Sequence, residues 1–123
     1  MTMRASPSVL IVEDEAAMVM ALKARLRADG FSVCGTVSTR EKAVSSAIEN
    51  SPDFIVMDIR LSGRSDGIEA AKEITDKIHT SIIFVTGYSE GSIKRKAMRV
   101  NPVAYMVKPF PISELISIMN RCR

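Results

Sequence analysis

Cysteine is scarce in this chain of 123 residues. Cys34 and Cys122 have neither the close spacing of metal ligands nor the paired framework of a secreted scaffold, so both are expected as reduced thiols. Long apolar runs are missing too. No stretch approaches the ~20 residues a spanning helix needs, and Met1-Thr-Met-Arg-Ala-Ser-Pro7 lacks the apolar core of a signal peptide. There is no sign of a membrane protein, and the cytoplasm is the expected compartment. Internal repeats, linkers and low-complexity segments are also absent, which leaves one domain.

What is present fits that domain. Apolar residues make up 46% of the chain and charged residues 25%, the balance of an ordinary soluble globule rather than a disordered chain. The length suffices for a core without disulfide or metal staples. The formal charge of +3 comes from scattered Lys and Arg, so it does not indicate direct nucleic-acid binding. The informative charges are the acids that run against this basic trend.

The central stretch is Phe54-Ile-Val-Met-Asp58, an apolar run that stops on a carboxylate. Such a run reads as a strand buried on both faces, which places Asp58 at its carboxyl end, where open α/β sheets hold ligands. Two other runs have the same character, and a further strand is read over residues 102–107. Residues 8–12 end on Glu13-Asp14-Glu15, residues 81–85 on Thr86-Gly87, and residues 102–107 on Lys108-Pro109. Residues 31–37 are β-rich but mixed with Gly and polar residues, as suits an edge strand.

Helical patterns alternate with these strands. Met18, Leu22 and Leu26, with Ala21 beside them, predict a helix over 15–29 stopped by Gly30, and methionines at helical spacing are expected in the core. Ser38-Thr-Arg-Glu41 reads as a capping box that opens a second helix, with Ala43, Val44, Ala47 and Ile48 inward. A third is predicted over 68–78 with Ala71, Ile74 and Ile78 on one face, and a short fourth by Ile93, Ala97 and Val100. Pro111 starts a fifth with Ile112, Leu115, Ile116 and Met119 inward. Five strands and five helices imply an α/β domain with a parallel sheet. Right-handed crossovers restrict it to a few doubly wound orders without choosing among them.

Listed by strand end, Glu13 and Asp14, Asp58, Thr86 and Lys108 share one edge of the sheet. Three acids, a hydroxyl and a lysine form a site with a division of labour. An acidic first turn of the first helix would account for Glu15 but not for Asp14, which gains nothing from a place beside Asp58.

The motifs Val-Leu-Ile-Val-Glu13-Asp14, Val-Met-Asp58, Phe-Val-Thr86-Gly87 and Tyr105-Met-Val-Lys108-Pro109-Phe110 follow one another across essentially the whole chain. In this order and spacing they resemble the receiver domain of two-component response regulators. The resemblance implies a flavodoxin-like (βα)5 three-layer sandwich with sheet order 2-1-3-4-5, residues 8–123 as the receiver and 1–7 as an N-terminal extension. Strands lie ~4.8 Å apart, so acids after the first and third can share a cation, and the stem of Lys108 can cross the roughly 10 Å to Asp58.

The resemblance further implies Mg²⁺ held by Asp14, Asp58, Glu13 through water, and the backbone carbonyl of Arg60. Asp58 would be the phosphoacceptor for a phosphohistidine on a sensor histidine kinase or phosphotransfer protein. Thr86 and Lys108 would bind the phosphoryl group, Gly87 would leave room for it, and the Lys108–Pro109 peptide would be cis. Tyr105 would relay the change to an output surface made by the fourth helix, fifth strand and fifth helix, with Lys94, Arg95 and Met98 as partner residues. An output protein or domain, or a second copy of the chain, would meet that surface. His79, without a companion ligand, is expected to be exposed and to carry no phosphoryl group.

Two features depart from the family pattern. The loop from Leu61 to Gly67 lacks the common proline and is one residue longer, and the bulky Arg60 and Tyr88 each stand two residues after a site residue. Both are expected to screen an attacking water and so to slow phosphate loss. The expected role is a phosphoacceptor rather than an enzyme. The alternatives are a pseudo-receiver that binds partners without phosphorylation and a Mg²⁺-dependent phosphohydrolase, against which Arg60 stands where such phosphatases carry a second acid. No further domain is expected after the fifth helix, which fits either a stand-alone receiver or a piece cut from a longer regulator.

Overall fold

A computed structural model describes residues 6–61, 66–87 and 91–122. The chain alternates β1 (Ser8–Val12), α1 (Ala16–Ala28), β2 (Ser32–Val37), α2 (Arg40–Asn50), β3 (Phe54–Asp58), α3 (Gly67–Thr75), β4 (Ser81–Thr86), α4 (Gly91–Met98), β5 (Ala104–Val107) and α5 (Ile112–Arg121). The strands form one parallel sheet in the order β2-β1-β3-β4-β5. This is the flavodoxin-like arrangement that the resemblance implied.

The sheet has two buried faces, which is why its central strands are continuous apolar runs rather than alternating ones. Every residue of β1 and β3 is buried. On one face Leu10, Ile55, Met57 and Phe84 pack with Ala43 and Ala47 of α2, Ala70, Ala71 and Ile74 of α3 and Ala97 of α4. On the other, Val9, Ile11, Val56 and Val85 pack with Leu22 and Leu26 of α1 and Leu115, Ile116 and Met119 of α5. The result is three layers.

β2 is the mixed, half-exposed edge strand that its composition predicts. Its pairing with β1 runs Val9 to Val33 and then Leu10 to Gly35, so Cys34 is the extra residue of a bulge. Both cysteines are free, Cys34 half-buried and Cys122 exposed. Gly30, at φ +90°, takes the backbone position after α1 that a side chain would resist.

Several local expectations are corrected. α2 begins one residue later than the capping box implied: Thr39, not Ser38, is the N-cap, its Oγ1 accepting from the Lys42 amide at 3.2 Å. Ile48, Ala21 and Met20 face solvent, Met20 at 72% exposure, and Met98 is also exposed. Helical spacing alone misplaced Ile48 and Ala21, because each helix buries only one stripe against the sheet. Met20 lies two positions from Met18 and Leu22, on the opposite side of α1, and the exposure of Met98 agrees with its expected place on the partner surface. Ile78 and Val100 do pack on the core, but from turns beyond the ends of α3 and α4. His79 is exposed, as expected.

The register brings the strand ends level. Val12 pairs with Met57, Asp58 with Val85, and Thr86 with Val107. Glu13, Asp58, Thr86 and Lys108 therefore stand within one residue of a common edge.

Candidate functional site

Each side chain of the site is positioned by backbone that continues the sheet ladder. The Glu13 amide donates to the Val37 carbonyl at 2.9 Å, and the Lys108 amide to the Thr86 carbonyl at 2.7 Å. Asp58 is the last residue of β3. The chain thus stays ordered one residue past β1 and β5, which holds both side chains over the edge.

These groups line a cleft of about 440 Å³ with Asp14, Glu15, Arg60 and Gly87. Glu13 and Asp58 are buried, at 3% and 6% exposure, whereas Asp14 is exposed. One carboxylate oxygen from each of these three acids lies within 4.8 Å of the others. Lys108 reaches across two strands to join them: its Nζ donates to Glu13 Oε1 at 2.7 Å and to Asp58 Oδ2 at 3.1 Å. The second oxygens are satisfied locally, Glu13 Oε2 by the Glu15 amide at 3.1 Å and Asp58 Oδ1 by the Arg60 amide at 3.3 Å.

The electrostatics follow from this crowding. Burial, and then the negative charge of Glu13, push the Asp58 carboxyl up to about 6 from 3.8, although Lys108 pulls in the opposite direction. Burial also works against the charge on Lys108, but its hydrogen bonds to Glu13 and Asp58 and their charges outweigh that, so its pKa is raised above 10.5. The ammonium stays charged and screens two buried acids.

The donor set suits a hard divalent cation. Carboxylate oxygens that converge within 4.8 Å are the ligands Mg²⁺ prefers, and the exposed Asp14 side leaves room for its waters. Lys108 holds a positive charge against the same carboxylates, which is what an acidic cluster of this density requires.

Other residues singled out from the sequence stand around this centre. Thr86 is wholly buried and Gly87 lines the cleft, where a Cβ would meet nothing within 4 Å, so packing does not demand the glycine. Arg60 is exposed at the rim. The Lys108–Pro109 peptide is cis. Tyr88, and residues 62–65 of the loop after Asp58, lie outside the described residues.

Tyr105 is half-buried and away from the carboxylates. Its ring meets Phe84 edge-on with centroids 6.4 Å apart, and Lys94 Nζ lies 5.6 Å from its centroid. Lys94 and Arg95 are exposed on α4, and Met98, Val103 and Val107 expose apolar surface nearby at 46%, 42% and 41%. Val103, just before β5, and Val107, its last residue, were not singled out from the sequence, because an outward face is invisible until the covering helices are placed. Nor was the tie of Lys108 to Glu13, since nothing local links residues 95 positions apart.

Comparison with known proteins adds an independent line. Residues 9–120 match the family model described as response regulator receiver domain. Over 108 residues the chain is 40% identical to the transcriptional regulatory protein PdtaR of Mycobacterium tuberculosis, covering 88% of this chain but 52% of PdtaR. It therefore spans about half the length of that relative. The chemotaxis protein CheY of Bacillus subtilis is 32% identical over 114 residues, covering 92% of this chain and 94% of CheY. Among solved structures, the signal receiver domain of a modulated diguanylate cyclase from Desulfovibrio desulfuricans G20 superposes with a TM-score of 0.86 at 34% identity, covering 94% and 92% of the two chains.

Proposed function

The chain belongs to the response regulator receiver domain family, and on that premise we propose that it is a phosphoacceptor switch in which Asp58 takes a phosphoryl group from a phosphohistidine. A carboxylate oxygen of Asp58 attacks phosphorus in line, the phosphorus–nitrogen bond breaks, and its electron pair stays on the imidazole of the donor. The observation that carries this reading is the pairing of one lysine with two buried acids at a strand edge. A single solvated acid would need no such partner.

Glu13, Asp14, Asp58 and the Arg60 carbonyl would hold Mg²⁺. When bound, Mg²⁺ would neutralise the carboxylates and the oxygens of the transferring group. Lys108 would turn its ammonium from Glu13 toward the phosphoryl oxygens, and the Thr86 hydroxyl would donate to another of them. The added charge, close to two at neutral pH, favours both moves. Tyr105, across from Phe84 and against Lys94, would register a shift of Thr86 and alter the face of α4, β5 and α5.

That face is the proposed output surface, taken by a partner protein, an output domain or a second copy of the chain. The donor is a sensor histidine kinase or a histidine phosphotransfer protein. We read the protein as a phosphoacceptor that acts on itself rather than as an enzyme with turnover. The exposed Arg60, two residues past Asp58, supplies no general acid for an aspartate-based hydrolase.

Incubation with acetyl phosphate and Mg²⁺, followed by intact mass measurement, tests the reading. Wild type gains one phosphoryl group and Asp58→Asn gains none. A gain in the variant, or none in wild type, would sink it.

A further inference from the structure

Gly67 opens α3, yet the residues it meets are those of the phosphoacceptor strand. Its amide donates to the Ile59 carbonyl at 2.8 Å, closing the loop that leaves β3. A Cβ built on Gly67 would fall inside the van der Waals envelope of the Asp58 carbonyl oxygen, and would stand 2.7 Å from Ile59 Cα and 2.9 Å from the Ile59 carbonyl oxygen. These are backbone atoms at the buried end of the central strand, so no side-chain rotamer can relieve the overlap. The backbone angle of Gly67 is not in the left-handed region, so its conformation alone does not require glycine. Space does.

We infer that Gly67 is a positioning residue for the site: its missing side chain lets the first turn of α3 clamp the Asp58–Arg60 backbone, which sets both the Asp58 carboxylate and the Arg60 carbonyl. The clamp acts where position matters most. Asp58 carries the reacting oxygen, its Oδ1 accepts from the Arg60 amide, and the Arg60 carbonyl belongs to the next peptide plane. Leu61, 1% exposed, anchors the same segment from the core side. A methyl group at Gly67 forces the first turn of α3 and the Asp58–Ile59 backbone apart, and the strand end is the side that carries the reacting and coordinating atoms.

This inference rests on the phosphoacceptor reading, and the experiment separates the two. Mg²⁺ affinity is measured by NMR titration on wild type, Gly67→Ala and Gly35→Ala, at a temperature where each is folded. Gly35 is the control: a Cβ there meets only side-chain atoms, Leu10 Cδ1 and Ser46 Oγ at 3.3 Å, away from the carboxylates. Gly67→Ala is expected to weaken Mg²⁺ by about ten-fold or more, the usual effect of disturbing the support of a metal ligand, while Gly35→Ala stays at the wild-type value. Equal Mg²⁺ affinity in folded Gly67→Ala and wild type overturns the inference.

A second measurement needs no variant to fold. Mg²⁺ that binds the clamped strand end better than the opened one shifts that equilibrium toward the clamped form, so saturating Mg²⁺ slows hydrogen exchange of the wild-type Gly67 amide several-fold more than that of the Ala47 and Ser51 amides of α2. Unchanged Gly67 exchange in the presence of bound Mg²⁺ also overturns it. Wild type that binds no Mg²⁺ and takes no phosphoryl group removes the phosphoacceptor reading, and this inference with it.

Discussion

Lys108 Nζ lies closer to Glu13, at 2.7 Å, than to Asp58, at 3.1 Å. The lysine is tied first to the acid that follows β1 and only second to the proposed phosphoacceptor. It therefore occupies, as a fixed cation, the electrostatic position that a divalent ion would share.

Competition follows. Replacing Lys108 with Met removes a positive charge from the metal-binding acids, so Mg²⁺ is expected to bind several-fold more tightly, while transfer from acetyl phosphate slows sharply. Without Mg²⁺ the variant leaves two buried acids facing each other and loses about 1–3 kcal/mol, less than a fully buried pair because Lys108 is partly solvated. Isothermal titration and urea unfolding check both parts; unaltered Mg²⁺ affinity would contradict them.

The raised Asp58 pKa makes stability depend on pH. In the native state Asp58 titrates at about 6, against 3.8 for its ordinary value, so as pH rises the unfolded chain releases the proton first. The stability contributed by the protonated acid is complete below 3.8 and lost as pH passes 6. Lys108, raised above 10.5, keeps its charge throughout this window. Metal-free Asp58→Asn, which has no such proton to lose, is expected to exceed wild type by about 1–3 kcal/mol at pH 7.5 and to match it near pH 4. Urea denaturation at the two pH values measures this, and an equal gain at both would refute the assignment.

Arg60 at the cleft rim is expected to shield the phosphoryl group from water. Arg60→Ala should shorten the lifetime of phosphorylated protein several-fold without altering the rate of phosphoryl transfer to Asp58. Intact mass followed over time after removal of acetyl phosphate reports the rate, and an unchanged rate would dismiss the shielding role.

The start of α2 offers a stability test away from the site. Thr39→Ala removes the cap on the Lys42 amide and should lower stability by about 1 kcal/mol. Ser38→Ala, one residue outside the cap, should stay within about 0.5 kcal/mol of wild type. Thermal unfolding of the two variants decides between the positions.

Sequence by itself determined the elements and the identity of the strand-end residues. Five strands alternating with five helices were legible because buried parallel strands are continuous apolar runs, and each ends on the first polar residue that the sheet edge can tolerate. That is why Asp58, Glu13, Thr86 and Lys108 could be named from periodicity before any contact was known. Boundary details, such as the cap at Thr39 rather than Ser38, were less legible because either hydroxyl satisfies the same local rule.

Tertiary structure alone decided relationships between distant segments. Strand order put β1 and β4 on either side of β3, and register levelled their ends; neither is a local property of the chain. From these came the bond of Lys108 to Glu13 and the upward push on Asp58, since burial and charge proximity exist only after packing. Helix faces were settled the same way, with Ile48 turned to solvent although its spacing suits a core. The contact of Gly67 with the Asp58 backbone is the clearest case: a glycine reads as a turn residue in sequence, and only the folded chain shows which atoms its missing side chain admits.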